Sequence, residues 1–85
     1  MEPEEMDVVE LLEDVTVDPA WRIRPDVTLA ALAKGRRGMV VHRHERTPPL
    51  YDVEFLDPET RDPLVLAILP GGLLRVVERD TLAIE

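Results

Sequence analysis

Apolar and polar positions alternate most regularly over Tyr51-Asp-Val-Glu-Phe-Leu56, which puts Tyr51, Val53 and Phe55 on one side and Asp52 and Glu54 on the other. A period of two is the spacing of a strand with one buried face. Residues 39–46 begin apolar and end charged, and Thr47-Pro-Pro49 separates them from that strand. Together the two runs read as a hairpin with a proline-containing loop. Residues 64–69 form an unbroken apolar run between prolines, the pattern of a strand buried on both sides. Pro70-Gly-Gly72 marks a turn, and residues 73–77 a short last strand. Leu73, Leu74, Val76 and Val77 cannot all point inward on one regular strand. That predicts an apolar outer strip, covered by a terminal segment or shared with a second copy in a homodimer.

The first half of the chain is less regular. In Asp7-Val-Val-Glu-Leu-Leu-Glu-Asp14, Val8, Leu11, Leu12 and Val15 are spaced as a helical stripe. The run is short, however, and Glu13 and Asp14 sit where a helix dipole disfavours acids. Pattern alone leaves strand and helix open here. Asp18-Pro-Ala-Trp-Arg-Ile-Arg-Pro25 reads as a loop, because each proline turns its predecessor from helical angles. Thr28 to Lys34 predicts one short helical turn, capped by Asp26 or Thr28 and stopped by Gly35. Residues 15–37 are thus expected as a long loop with a short helix, and Gly35-Arg-Arg-Gly38 as a tight turn. Residues 1–5 are expected to be a flexible acidic end.

At 85 residues, with 45% hydrophobic and 33% charged positions, the chain has the composition of one small globular domain. It contains no cysteine, so stability must come from the core. No apolar stretch is long enough to span a membrane, and the opening lacks the basic region of a secretory signal. The expected location is cytoplasmic. Charge is unevenly placed on a net −8. Residues 1–18 carry eight acids and no base, while residues 19–46 carry seven bases and two acids. Either these segments neutralise one another across the fold, or an acidic face is left to attract a basic partner.

Several short strands between turn signals suggest a small barrel or sandwich. Four pieces sharpen that reading: Asp7-Val-Val-Glu-Leu-Leu-Glu-Asp14, Lys34-Gly-Arg-Arg-Gly-Met-Val-Val41, Tyr51-Asp-Val-Glu-Phe55, and Ala67-Ile-Leu-Pro70 before Leu74-Arg75. In order and spacing they resemble a family of bacterial domains of unknown function, DUF4926, over residues 6–77. The resemblance implies a mainly β fold, a small SH3-like β-barrel of about five strands. It also implies that residues 7–14 are the first strand, and it brings no catalytic residue. The chain departs from the family pattern in a longer stretch from Val15 to Ala33, and in Arg43, which stands where an apolar residue is expected.

Catalytic groups are scarce. Serine, cysteine, asparagine and glutamine are all absent, which excludes Ser- and Cys-nucleophile chemistry within this chain. Acid–base work needs a cleft and a shifted pKa, and a small barrel seldom encloses such a cleft. No cofactor is expected. His42 and His44 fall on one strand face and are the candidate metal ligands, with Asp52 or Glu54 as a possible third; the plainer reading is a solvated strand end. Lys34, Arg36, Arg37, Arg43 and Arg46 form a basic strip that suits phosphate. The net charge and the lack of a stacking platform oppose nucleic-acid binding. Trp21, with Arg22 and Arg24 beside it, has the residue types of an interface hot spot, or else covers a barrel end.

These observations favour a non-enzymatic protein–protein interaction module. Its most concrete form is an acidic immunity-type or antitoxin-type inhibitor that docks a basic, toxin-like enzyme. The candidate contact residues are Glu10, Glu13, Asp14, Trp21, Arg22, Arg36 and Arg37. The alternatives are a nucleic-acid-associated barrel using the strip from Lys34 to Arg46, and a His42/His44 metal-binding domain.

Overall fold

A computed structural model describes residues 2–79 of the chain. The fold is mainly β, with strands β1 (Val8–Leu11), β2 (Val15–Thr16), β3 (Ala31–Leu32), β4 (Arg37–His44), β5 (Leu50–Leu56), β6 (Pro63–Pro70) and β7 (Leu74–Glu78). Five of them form an antiparallel sheet in the order β6-β5-β4-β1-β7, and β2 and β3 pair as a separate ribbon. The large sheet is open, with β6 and β7 as its edges. Short 3-10 turns at Pro19–Trp21 and Gly71–Leu73 are the only helical elements among the described residues.

The alternation read in the sequence sets the core. Tyr51, Val53 and Phe55 of β5 are fully buried, flanked by Val40 of β4 and by Val65 and Ala67 of β6. Of residues 7–14, expected as the first strand, Val8–Leu11 form β1, hydrogen-bonded on both sides, to β4 and to β7, with Val9 and Leu11 buried; residues 12–14 lie beyond its end. Val15, Val17, Val27 and Leu32 close the core from the long connection between β1 and β4. That connection is structural cover, not only a loop. The helical turn expected over Thr28–Lys34 is absent. Ala31 and Leu32 instead pair with Thr16 and Val15, which buries Leu32 completely. Non-local pairing overrides a weak local helix signal there. The turn at Lys34–Gly35 needs a glycine, since Gly35 has φ 88°, but the turn ends by Arg37, where β4 begins.

Two further expectations change. Residues 64–69 are not buried on both faces. β6 is an edge strand whose outward side chains Leu66 and Ile68 are 36% and 45% exposed. In β7, Leu74 points inward, Val76 packs against the core and Val77 is half-buried. Whether the C-terminal residues cover the remainder lies outside the described residues. A register shift between Val40 and His42 sets Arg43 opposite Tyr51. Its guanidinium lies 6.0 Å from the ring centroid, so the arginine covers an aromatic at the end of the core.

Candidate functional site

The acidic opening is engaged with the chain's own groups. Glu2 faces Arg43, Glu4 and Asp7 both meet Arg79, and Glu5 meets His42. Asp7 is buried, and its Oδ2 also accepts the Glu4 N–H at 2.8 Å. The Met6 N–H donates to the Val40 carbonyl at 2.7 Å. The opening expected as a loose end is thus tied to the sheet, and the reading in which charged segments neutralise one another describes it.

The residues proposed from sequence do not converge. Glu10 pairs with Arg75 across β1 and β7. Asp14 Oδ1 accepts the Lys34 N–H at 2.8 Å and closes the connection on itself. Glu13 is exposed, with no partner among the described residues. Trp21 sits in the first 3-10 turn, half-buried against the core. Arg22 bridges to Val65 of β6, and its Nη2 donates to the Leu29 carbonyl at 3.3 Å. Each of these contacts holds the fold together. Only Arg36 and Arg37 come together in a recess.

His42 and His44 do share a face, with ring centroids 4.7 Å apart and planes at 90°. Each is committed elsewhere. His42 Nδ1 lies 3.3 Å from Glu5, and His44 Nε2 lies 2.8 Å from Asp52 Oδ1. Among the described residues, no group of three or more His, Cys, Asp or Glu side chains is arranged to hold a metal ion.

A groove of about 650 Å³ lies where β4 and β5 meet the turn between β5 and β6. Val8, Met39 and Leu56 give it an apolar floor, and Arg36, Arg37 and Arg61 line it. Gly38 lets the strands close at this point, since a Cβ there would lie 2.8 Å from the Glu54 carbonyl oxygen. Arg36 is oriented from behind, with Nη2 donating to the Leu56 carbonyl at 2.9 Å. Arg61 was not singled out by sequence. It holds φ 67°, a left-handed conformation that costs a non-glycine residue free energy.

The turn around Arg61 is built to hold it there. The Arg61 N–H donates to the Asp57 carbonyl at 2.9 Å, and the Asp57 N–H to the Asp62 carbonyl at 2.8 Å. Asp57 Oδ1 accepts the Glu59 and Thr60 N–H groups at 2.8 and 3.2 Å. Those two bonds, with Arg36 nearby, hold the Asp57 carboxyl below its ordinary value. Asp57-Pro-Glu-Thr60 carries the signature of such a turn, but nothing in it announces which way Arg61 points.

Six bases, Arg22, Lys34, Arg36, Arg37, Arg46 and Arg61, have no carboxylate within 4.0 Å among the described residues, and three of them line the groove. Arg24, Arg43, Arg75 and Arg79 each lie within 4.0 Å of a carboxylate. Among the described residues, none of Arg36, Arg37 and Arg61 does, although Glu54, Asp57 and Glu78 also line the groove. A smaller cleft of about 440 Å³ lies between Pro48-Pro49 and Pro70-Gly71, over Tyr51. Burial pushes the Tyr51 phenol above its ordinary value, with Arg43 acting in the opposite sense.

No described helix is long and apolar enough to cross a membrane. No family model matches the chain, and neither a curated protein nor a solved structure matches it.

Proposed function

We propose that this chain is a non-enzymatic protein-interaction module on an SH3-like barrel plan, and that its groove takes an acidic segment of a partner protein. The strand order supports the plan: β7 returns beside β1, straight after a 3-10 turn. The observation that carries the function is the convergence of Arg36, Arg37 and Arg61, none within 4.0 Å of a carboxylate among the described residues, in a chain of net charge −8. Guanidinium groups favour planar carboxylates and bind them through paired hydrogen bonds. The apolar floor suits the side chains that would alternate with those carboxylates. A nucleic acid fits less well, because no aromatic lines the groove to stack a base.

A second reading, the inhibitor of a basic enzyme, is favoured by the overall charge, which would steer such a partner in. The engagement of residues 2–10 with the chain's own bases counts against it.

Fluorescence anisotropy separates these possibilities. The probes are a labelled peptide of alternating aspartate and leucine, its asparagine counterpart, single-stranded DNA, and polylysine. The expected result is saturable binding of the aspartate peptide alone, weakened by salt and lost in the Arg36→Ala/Arg37→Ala protein. A flat aspartate curve at low salt removes the reading. Binding of polylysine that ignores both substitutions replaces it with the second.

A further inference from the structure

We infer that residues Asp80-Thr-Leu-Ala-Ile-Glu85 of the same chain occupy the arginine groove in cis, and that an acidic partner enters by displacing them. The inference rests on the reading of that groove as a site for acidic segments, and adds a regulator carried by the chain itself.

The groove has two ends. At one, Glu78 of β7, Val8 of β1, Met39 of β4 and Glu54 of β5 stand opposite one another in successive ladders. Two residues along β4, Arg37 lies opposite Glu10, and with Arg36 and Arg61 it makes the other end basic. Val9, Val40, Val53 and Phe55 are buried in the core, so Val8, Met39, Glu54 and Leu56 face outward. The apolar floor of the groove, Val8, Met39 and Leu56, is half-buried on that outward face.

Residues 80–85 begin beside the first end. Glu78 lines the groove, and Arg79 after it is anchored. Its Nη2 lies 3.1 Å from the buried Asp7 carboxylate, and its Nη1 3.2 Å from that of Glu4. The point from which the segment departs is therefore fixed. From β7 across β1 and β4 to β5 is three strand spacings, about 14 Å. Six extended residues span about 20 Å, enough to cross the floor and reach the basic end.

The order of residues in the segment matches the order of groups in the groove. Leu82 and Ile84 are two apart, so an extended backbone turns both to one side, and Glu85 follows them. Laid from Glu78 across the sheet, the segment sets its apolar pair over Val8, Met39 and Leu56. It then carries its second acid to Arg36, Arg37 and Arg61, which no carboxylate among the described residues approaches within 4.0 Å.

The tether selects this occupant over a free one. A segment on so short a link is presented at an effective concentration on the order of 1 mM. A contact with a Kd of about 100 μM in isolation would then fill about nine-tenths of the grooves. A partner's apparent Kd would rise about tenfold.

The test compares the wild-type full chain with Leu82→Ser/Ile84→Ser/Glu85→Gln and with Glu85→Gln alone, changes that all lie outside the described residues. Anisotropy of the labelled aspartate–leucine peptide is measured on each, and amide NMR spectra are recorded without peptide. The triple variant should bind the peptide about tenfold more tightly than the wild type. Its peptide-free amides should shift at Val8, Arg36, Arg37, Met39, Leu56 and Arg61, at every protein concentration. Glu85→Gln should show smaller changes in the same direction. Groove amides that match across all three proteins, or measurable peptide affinities that are equal, overturn the inference. So do differences that grow with protein concentration, the mark of a segment supplied by a second copy. Flat peptide curves for all three proteins with the groove amides still shifted overturn the acidic-partner reading instead, and leave the segment in its groove.

Discussion

Replacing Gly38 by alanine tests how closely β4 and β5 approach. The added Cβ would lie 2.8 Å from the Glu54 carbonyl oxygen, 2.8 Å from Val53 Cγ1 and 2.9 Å from Phe55 Cδ1. Comfortable carbon contacts are about 3.5–4.0 Å. One neighbour is backbone in the middle of β5, and the other two belong to fully buried side chains. None can swing into solvent. The strands must separate or the side chains leave their rotamers, which costs about 1–3 kcal/mol. For a domain of this size that is a fall in Tm of about 5–20 °C. Gly72→Ala is the control, because nothing lies within 4 Å of its Cβ position. It should be neutral, or stabilise by about 0.4–1 kcal/mol through the unfolded chain. Thermal melts by circular dichroism, with urea titrations alongside, measure both. A Gly38→Ala protein that melts with the wild type would refute the close approach.

Other substitutions separate structural from binding roles. Leu32→Ala should cost about 2–5 kcal/mol by urea denaturation if the β2–β3 ribbon is part of the core, and little if it is loose cover. Arg61→Gly should leave stability unchanged or raise it by up to about 1 kcal/mol, since glycine accepts φ 67° freely. The same change should weaken aspartate-peptide binding by about 10- to 100-fold in anisotropy, the loss of one charge-assisted contact. Asp57 has a carboxyl held below its ordinary 3.8, so its stabilising effect is present above about pH 4 and is lost as pH falls through the lowered value. Asp57→Ala should therefore be less stable than the wild type at neutral pH, with the gap narrowing in acid; a gap independent of pH would contradict this.

Much of the sheet was legible because its signal is local. Tyr51, Val53 and Phe55 alternate with Asp52 and Glu54, and β5 buries that face. The two-residue spacing of His42 and His44 placed them together, although each went to a carboxylate that spacing cannot reveal. Residues 64–69 misled because an unbroken apolar run looks the same in a central strand and in an edge strand. Only the strand order tells them apart. Thr28 to Lys34 misled because the partner that makes Leu32 a strand residue lies at Val15, far back in the chain.

The candidate site was half legible. Arg36 and Arg37 stood out as a basic pair. Arg61 joins them only because the turn from Asp57 to Asp62 folds back with one left-handed residue. The acidic opening attracted attention as a charge run, but its acids turned out to face Arg43, Arg79 and His42. Pairings across the fold decide which charges remain for a partner, and no local pattern records them.

The most direct test of the arginine groove is two-dimensional NMR of the labelled protein as the aspartate–leucine peptide is added. The account predicts shifts concentrated at Val8, Arg36, Arg37, Met39, Leu56 and Arg61, with residues 2–6 and the His42–His44 end of β4 unmoved. Shifts centred on the acidic opening, or none at peptide concentrations far above that of the protein, would contradict it.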